Sequence, residues 1–392
     1  MLFIANGKVI TMEGTKFERA SILVKDGKIV EIGESLQAPE GAKIIDATGK
    51  TVVPGLIDAH THLGLSGTAI RWEGNDHNEI ADPVTPHMRT IDAINIFDET
   101  FRDAIESGVT CVATSPGSAN VVGGQLTLMK TGGSTNVDDL AIKAPLAMKC
   151  ALGENPKNLY GQMKKVSPFT RMATAAILRE TFLKAKEYLS KKEIAENPDN
   201  PENNSKKPDF NMKYDALIPV IKKEIPIHIH AHQANDIHTA IRLAKELDIE
   251  CVIVHATDGH LISKEMVKSG FSAIIGPTMG HKSKPEVKNK TFETINVLNQ
   301  AGVPVCITTD HPVIPLQHLN ICAALAVQAG MEREEALKAI TIYPAKILNL
   351  DNRVGSLACG KDADIVIWDG CPLDATSLVL TTIINGEVLY QR

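Results

Sequence analysis

Aromatic side chains are scarce in this chain: phenylalanine, tryptophan and tyrosine together make up 4% of 392 residues. Basic residues are not in excess either, with 41 lysines and arginines against 47 aspartates and glutamates and a formal net charge of −6. A nucleic-acid binder needs a cationic face or stacking platforms, so both shortages weigh against that class of partner. No apolar run reaches membrane-spanning length; PVCITT and ECVIVHA are strand-sized. The N-terminal stretch MLFIANGKVITMEGTKFERA has neither a basic flank leading into an apolar segment nor a small-residue cleavage site, so no export signal is expected. The seven cysteines lack paired spacing, and Cys111, Cys251 and Cys306 sit inside apolar runs, as buried reduced thiols do. These absences leave a cytoplasmic globular protein with a small-molecule partner. The N-x-S/T triplets at Asn203 and Asn289 would matter only in a secreted chain.

Apolar residues are plentiful at 43%, enough for a large core. The first fifty residues read as short strands split by turns, with Asn6-Gly7 and Asp26-Gly27 as hairpin signals between alternating apolar residues. The C-terminal DADIVIWDG and LVLTTIINGEVLY return to that style. Residues 1–53 and 353–392 are therefore expected to build one small sheet domain from both ends of the chain. Residues 54–352 alternate short apolar runs with amphipathic stretches such as DIHTAIRLAKELD, the pattern of βα units. Eight strand candidates emerge: GLIDAHTH, GVTCVATS, GQLTLMK, APLAMKC, IPIHIHAH, ECVIVHA, FSAIIGPT and VPVCITTD. Their number and span predict an α/β fold with a (β/α)8 barrel of the TIM type, the third strand being the weakest. A doubly wound open sheet would need a glycine fingerprint after its first strand, and none is there. A charged, Asn- and Pro-rich insertion near residues 190–214 reads as a solvated loop, or as a lid over the mouth.

Histidine is the abundant residue that needs explaining, with 13 copies. Side chains two apart on a strand share a face, so His60 and His62 project together at the end of GLIDAHTH. His228, His230 and His232 do the same in IPIHIHAH, where three buried imidazoles would be costly without partners. The deepest, His228, suits a structural hydrogen-bond network. His255 ends ECVIVHA and Asp310 ends VPVCITTD. Each of these four strands delivers a metal-competent residue at its C-terminal end, where barrel enzymes keep their sites. Lys149 in APLAMKC is a lysine in an apolar strand, which is expensive if charged and unpaired. It either reaches the rim, pairs with a carboxylate such as Glu154, or stays neutral and adds carbon dioxide as a carbamate.

Taken together, NGKVIT, VVPGLIDAHTH, MKCALGE and PAKILNLDNRVGSLACGKDADIVIWD resemble the amidohydrolase superfamily of urease-related metal hydrolases, including imidazolonepropionase-like and isoaspartyl dipeptidase-like members. The resemblance spans nearly the whole chain. It implies a (β/α)8 barrel beside a small β-sandwich built from both termini. It implies one divalent ion at His60, His62 and Asp310, and a second at His230 and His255, with His232 able to replace His230. Lys149 resembles the carboxylated lysine of two-metal members, Glu154 being the competing bridge. Zinc suits these ligands; iron, manganese and nickel are admissible. The activity implied is hydrolysis of a C–N bond in an amide, cyclic amide or dipeptide, by metal-activated hydroxide with Asp310 as general base and then general acid. His232, Gln233, His281 and Arg171 are candidate substrate contacts. A mononuclear deaminase is the alternative within the superfamily, and a catalytically silent scaffold the alternative outside enzymes. A homo-oligomer formed through helical faces is a further expectation. GSLACGKD (355–362) imitates a phosphate loop, but it ends in Asp and leads into a strand, so it is read as a turn.

Overall fold

The computed structural model describes residues 1–68, 71–197 and 208–392. The core of the 190–214 insertion, residues 198–207, thus lies outside the described residues. Five strands come first: β1 (Leu2–Ile10), β2 (Lys16–Lys25), β3 (Lys28–Gly33), β4 (Lys43–Asp46) and β5 (Thr51–Pro54). Three come last: β16 (Ile365–Trp368), β17 (Val379–Ile384) and β18 (Glu387–Gln391). They form one eight-stranded sheet, ordered β18-β17-β16-β5-β1-β2-β3 with β4 beside β1. The two chain ends meet where β16 runs antiparallel to β5. The sheet forks at β1, whose residues 2–5 pair with β4 and whose residues 8–9 pair with β5. Its apolar side chains, among them Ile4, Ile22, Val52, Ile365 and Ile383, form a core of their own. All eight strands belong to a single hydrogen-bonded ladder, branched rather than split into two separate sheets.

The middle of the chain supplies β6 (Leu56–Thr61), β7 (Val109–Thr114), β8 (Val122–Gln125), β9 (Thr127–Lys130), β10 (Ala141–Lys143), β11 (Met148–Ala151), β12 (Ile227–Ala231), β13 (Cys251–His255), β14 (Ser272–Ile275) and β15 (Val305–Ile307). Among the described residues they form a four-stranded sheet, β10-β9-β7-β6, and a six-stranded one, β15-β14-β13-β12-β11-β8. β6 and β7 are parallel, and so are β11 through β15. Helices such as Ala234–Glu246 and Thr294–Ala301 fall between these strands, in the βα alternation that the sequence pattern predicts. The third predicted strand behaves differently. It breaks at Leu126 into β8 and β9, which run antiparallel to β11 and β7, so the chain crosses from one sheet to the other at this point.

Among the described residues the ladders do not run round into a closed barrel; between β15 and β6 side chains and loops make the link instead. Asp58 on β6 accepts from the backbone N–H of Thr309 at 2.9 Å and from the hydroxyls of Thr309 at 2.6 Å and Thr308 at 2.5 Å. The Ile57 N–H donates to the Ile340 carbonyl at 2.9 Å. Because Asp58, His60 and His62 follow the two-residue period, the carboxylate that ties these strands lies on the face that carries the histidines. Burial pushes the Asp58 carboxyl up to about 6, against the pull of its hydrogen bonds.

Candidate active site

The C-terminal ends of β6, β12, β13 and β15 bring two groups of ligand atoms together. His60, His62 and Asp310 form one, and His230, His232 and His255 the other, with the ligand atoms of each group within 4.8 Å of one another. Asp310 Oδ1 lies 3.4 Å from the Nε2 atoms of both His60 and His62. The His255 ring stacks on His232 with centroids 4.5 Å apart and stands 5.5 Å from His60, so the two groups adjoin.

The remaining ring nitrogens show which atoms face the centre. His62 Nδ1 lies 2.7 Å from the Ser115 carbonyl and His255 Nδ1 lies 2.6 Å from the Gly276 carbonyl. A carbonyl only accepts, so both Nδ1 atoms carry hydrogen and, in a neutral ring, Nε2 presents a lone pair. His232 Nδ1 is engaged by the Thr257 hydroxyl at 2.7 Å. Burial holds His232 and His255 well below the ordinary imidazole range, and the neighbouring rings add to it. His60 is pushed down to about 3, first by burial and then by Lys149. Burial alone would raise the Asp310 carboxyl, but His255, His60 and His62 hold it well below the usual carboxylate range. The His60, His232 and His255 rings, held neutral by burial, therefore crowd one another and an anionic oxygen. That arrangement fits a divalent cation between them. When bound, such an ion acidifies water and polarises a carbonyl.

Lys149 reaches neither the rim nor a carboxylate. Its ammonium is fully buried on β11, 3.2 Å from His60 Nε2, and among the described residues no carboxylate lies within ion-pair distance of it. Burial pushes it down to about 8. Glu154 is engaged elsewhere: its Oε2 accepts from the Glu286 N–H at 3.3 Å while its own N–H donates to Glu286 Oε2 at 3.0 Å. His228 is buried beside Lys149 in the strand register, with an unpartnered Nδ1, and belongs to neither group.

A cavity of about 690 Å³ opens over the centre, lined by His62, His230, His232 and Asp310 at its floor and by His77, Asn155 and His281 above. His281 is exposed at this mouth. Gln233 and Arg171 line a neighbouring cavity, where the Arg171 guanidinium donates to Gln233 Oε1 at 2.8 Å and to Asp236 at 2.8 Å. Asp236 thus already occupies Arg171.

Three contributors escape the sequence reading. Glu286 is 1% exposed, with Oε1 3.2 Å from His230 Nε2 and 3.6 Å from His232 Nε2. Only its isolation among four lysines marks it in the sequence. His77 comes from a loop, its ring 5.4 Å from that of His62, and nothing nearby in the sequence signals it. Asp58 could have been found, because it continues the inward period of His60 and His62.

A family model described as the amidohydrolase family matches residues 51–389. The chain belongs to the amidohydrolase family. Its structure superposes on the crystal structure of an amidohydrolase from Thermotoga maritima with a TM-score of 0.95 and 40% identity, covering 100% of both chains. An imidazolonepropionase of Thermoplasma acidophilum is 26% identical over 96% of this chain and 90% of that enzyme. The amidohydrolase tasK of Hapsidospora irregularis is 27% identical over 94% of this chain, which spans 40% of that longer protein. An adenine deaminase of Lactobacillus delbrueckii is 23% identical over 93% of this chain and 56% of that enzyme. This amidohydrolase is therefore a hydrolase with His and Asp clusters competent to bind metal. Among its described residues no helix is long and apolar enough to cross a membrane.

Proposed function

We propose that this amidohydrolase cleaves a C–N bond in an amide, cyclic amide or dipeptide-like small molecule, with two divalent ions held on its own side chains. The observation that carries the reading is the convergence of neutral imidazoles and Asp310 on two adjoining points at the floor of the cavity. His60, His62 and Asp310 hold one ion; His230, His255 and the stacked His232 hold the other. Zinc matches imidazole and carboxylate donors in small number. Asp310, 9% exposed and open to the cavity, accepts the proton of the attacking water and returns it to the leaving nitrogen. The buried Lys149 amine, 3.2 Å from His60 and with no carboxylate within ion-pair distance among the described residues, would be the group to take up carbon dioxide with loss of a proton, and its carbamate would supply an anionic oxygen donor to the metal site. Within this reading residues 54–352 take the place of a (β/α)8 barrel whose strand ladder is interrupted between β15 and β6, and residues 1–53 with 353–392 form the small branched-sheet domain beside it.

One observation favours a second reading. His60, His62 and Asp310 make a complete ligand group without Lys149 or the second cluster, and an adenine deaminase stands among the relatives of this chain. In that case one ion serves removal of ammonia from a ring. With both ligand groups intact, no observation favours a silent scaffold. The test is metal analysis of the purified protein beside a panel of N-acyl amino acids, dipeptides, cyclic ureides and aminopurines. Two equivalents of metal with amide cleavage that stops on chelation and returns with zinc supports the hydrolase. One equivalent with ammonia released only from the aminopurines supports the deaminase. No bound metal and chelator-insensitive turnover overturns both.

A further inference from the structure

The cavity rim is cationic on one side, against the trend of a chain whose net charge is −6. The segment after β14, residues 279–290, carries Lys282, Lys284, Lys288 and Lys290 with one carboxylate, Glu286. That carboxylate is turned inward and is spent on Lys284, 2.5 Å away, and on the histidines beneath it. The remaining three ammonium groups have no carboxylate within 4.0 Å among the described residues. Lys282 donates to the Lys288 carbonyl at 2.8 Å and Lys290 to the His281 carbonyl at 3.1 Å. Lys282 and Lys288 are exposed, and hydration suffices for them.

Lys290 is different. It is half-buried and lines the main cavity, and it also lines the small pocket beside His255, Thr257, Thr291 and Thr294. One carbonyl satisfies one of its three donors. Among the described residues the only carboxylate on the cavity wall is Asp310, which is committed to the histidines. A partly desolvated ammonium facing a cavity without a counter-ion is complementary to an anion supplied by the ligand.

We propose that Lys290 anchors a carboxylate of the substrate, so that the amide cleaved at Asp310 belongs to a molecule carrying a free acid, such as an N-acyl amino acid or a dipeptide. The inference rests on the hydrolase reading and narrows it. Neutral amides lacking the acid lose a charge-assisted hydrogen bond, a factor of about ten or more in kcat/KM.

The test uses the metal-replete enzyme and matched pairs, N-acetyl derivatives of glycine, leucine and glutamate against the same compounds with the α-carboxylate as carboxamide. Both hydrolysis and binding by calorimetry are measured for wild type, Lys290→Gln, Lys290→Arg and the exposed control Lys288→Gln. The expected result is an acid preference of about tenfold or more that falls to threefold or less in Lys290→Gln and persists in Lys290→Arg and Lys288→Gln. Equal handling of acid and carboxamide across the panel overturns the proposal while leaving the hydrolase reading intact. A preference that survives Lys290→Gln also overturns it, because the acid then binds the metal centre or another cation. Lys290-dependent binding of the acids without hydrolysis of any compound supports the anion site and refutes the hydrolase reading instead.

Discussion

Removing the Lys130 ammonium should destabilise the protein by about 3 kcal/mol, the lower end of what breaking a buried ion pair costs. Lys130 ends β9, is 2% exposed, and reaches Asp364 at 2.6 Å and Asp362 at 3.2 Å, joining the middle of the chain to the C-terminal segment. The two carboxylates do not depend on it equally. Asp362 keeps Lys28 at 2.5 Å and Arg353 at 2.9 Å, whereas Asp364 is left with the Asn385 N–H at 3.0 Å. Lys130→Met preserves most of the buried volume, so packing contributes little and the loss falls on one stranded carboxylate. Adding Asp364→Asn removes that charge while keeping an acceptor for Asn385, and should recover about half of the loss. Urea unfolding followed by far-UV circular dichroism measures both, as a double-mutant cycle. The pH dependence has a definite sign. Burial raises the Asp362 carboxyl, but Lys130, Lys28 and Arg353 together hold it below its ordinary value. Its contribution is therefore present above the unfolded carboxylate pKa of about 3.9 and is lost as pH falls through the lowered folded value. Lys130→Met weakens that hold, so its acid unfolding should begin at higher pH than wild type. A Lys130→Met protein within about 0.5 kcal/mol of wild type, or no recovery with Asp364→Asn, would refute the reasoning.

Three further outcomes are expected. Asp310→Asn should lower kcat by about 10² to 10⁴ while bound metal, measured by atomic emission, stays near the wild-type level; undiminished turnover would exclude the proton-transfer role. Lys149→Ala should lose metal and activity together, with partial return of both in added acetate or propionate. If it keeps its metal and rate, the bridging anion is not on Lys149. Gly276→Ala would drive a Cβ into the Thr308 carbonyl oxygen at a φ of +146°, and Gly276 also supplies the carbonyl that holds His255 Nδ1. A zinc titration should show weaker retention of the second equivalent, and equal affinity in variant and wild type would count against that carbonyl as the orienting group.

Strand periodicity makes most of the candidate centre legible in the sequence. His60, His62, His230, His232, His255 and Asp310 all follow from apolar runs that end in a ligand, because side-chain alternation and strand-end placement are local properties. The pairing of both termini was legible for a similar reason, since hairpin turns declare themselves in two-residue signals such as Asn6-Gly7. What the pattern hid was direction. GQLTLMK has strand composition, but nothing in it reveals that Leu126 divides it between two sheets and that both halves run antiparallel to their neighbours. The pairing of Arg171 with Asp236 was hidden too, because the carboxylate comes from a helix 65 residues away. Glu286 was concealed by its setting: a carboxylate among lysines reads as a solvated charge run, and only the fold turns it inward to His230 and His232.

The backbone at the candidate ligating positions was also hidden from the sequence. His255 and Asp310 have φ values of +78° and +54°, in the left-handed region that β-carbon sterics disfavour. Such conformations cost on the order of 1–3 kcal/mol each and persist only where the surroundings over-determine them. Here the surroundings can be named. The Gly276 carbonyl holds the His255 ring, the Thr308 hydroxyl accepts the Asp310 N–H at 3.1 Å, and Asp58 fixes Thr308 and Thr309 from the opposite strand. The turn at each strand end aims the side chain toward the shared cluster instead of along the strand, where regular β geometry would send it. Because Asp58 sits at the root of this arrangement, it acts on Asp310 through Thr308 and Thr309 without touching the cavity. A carboxylate that appears in the sequence as one polar residue in an apolar strand is thus what lets β6 and β15 present His60, His62 and Asp310 to a common point.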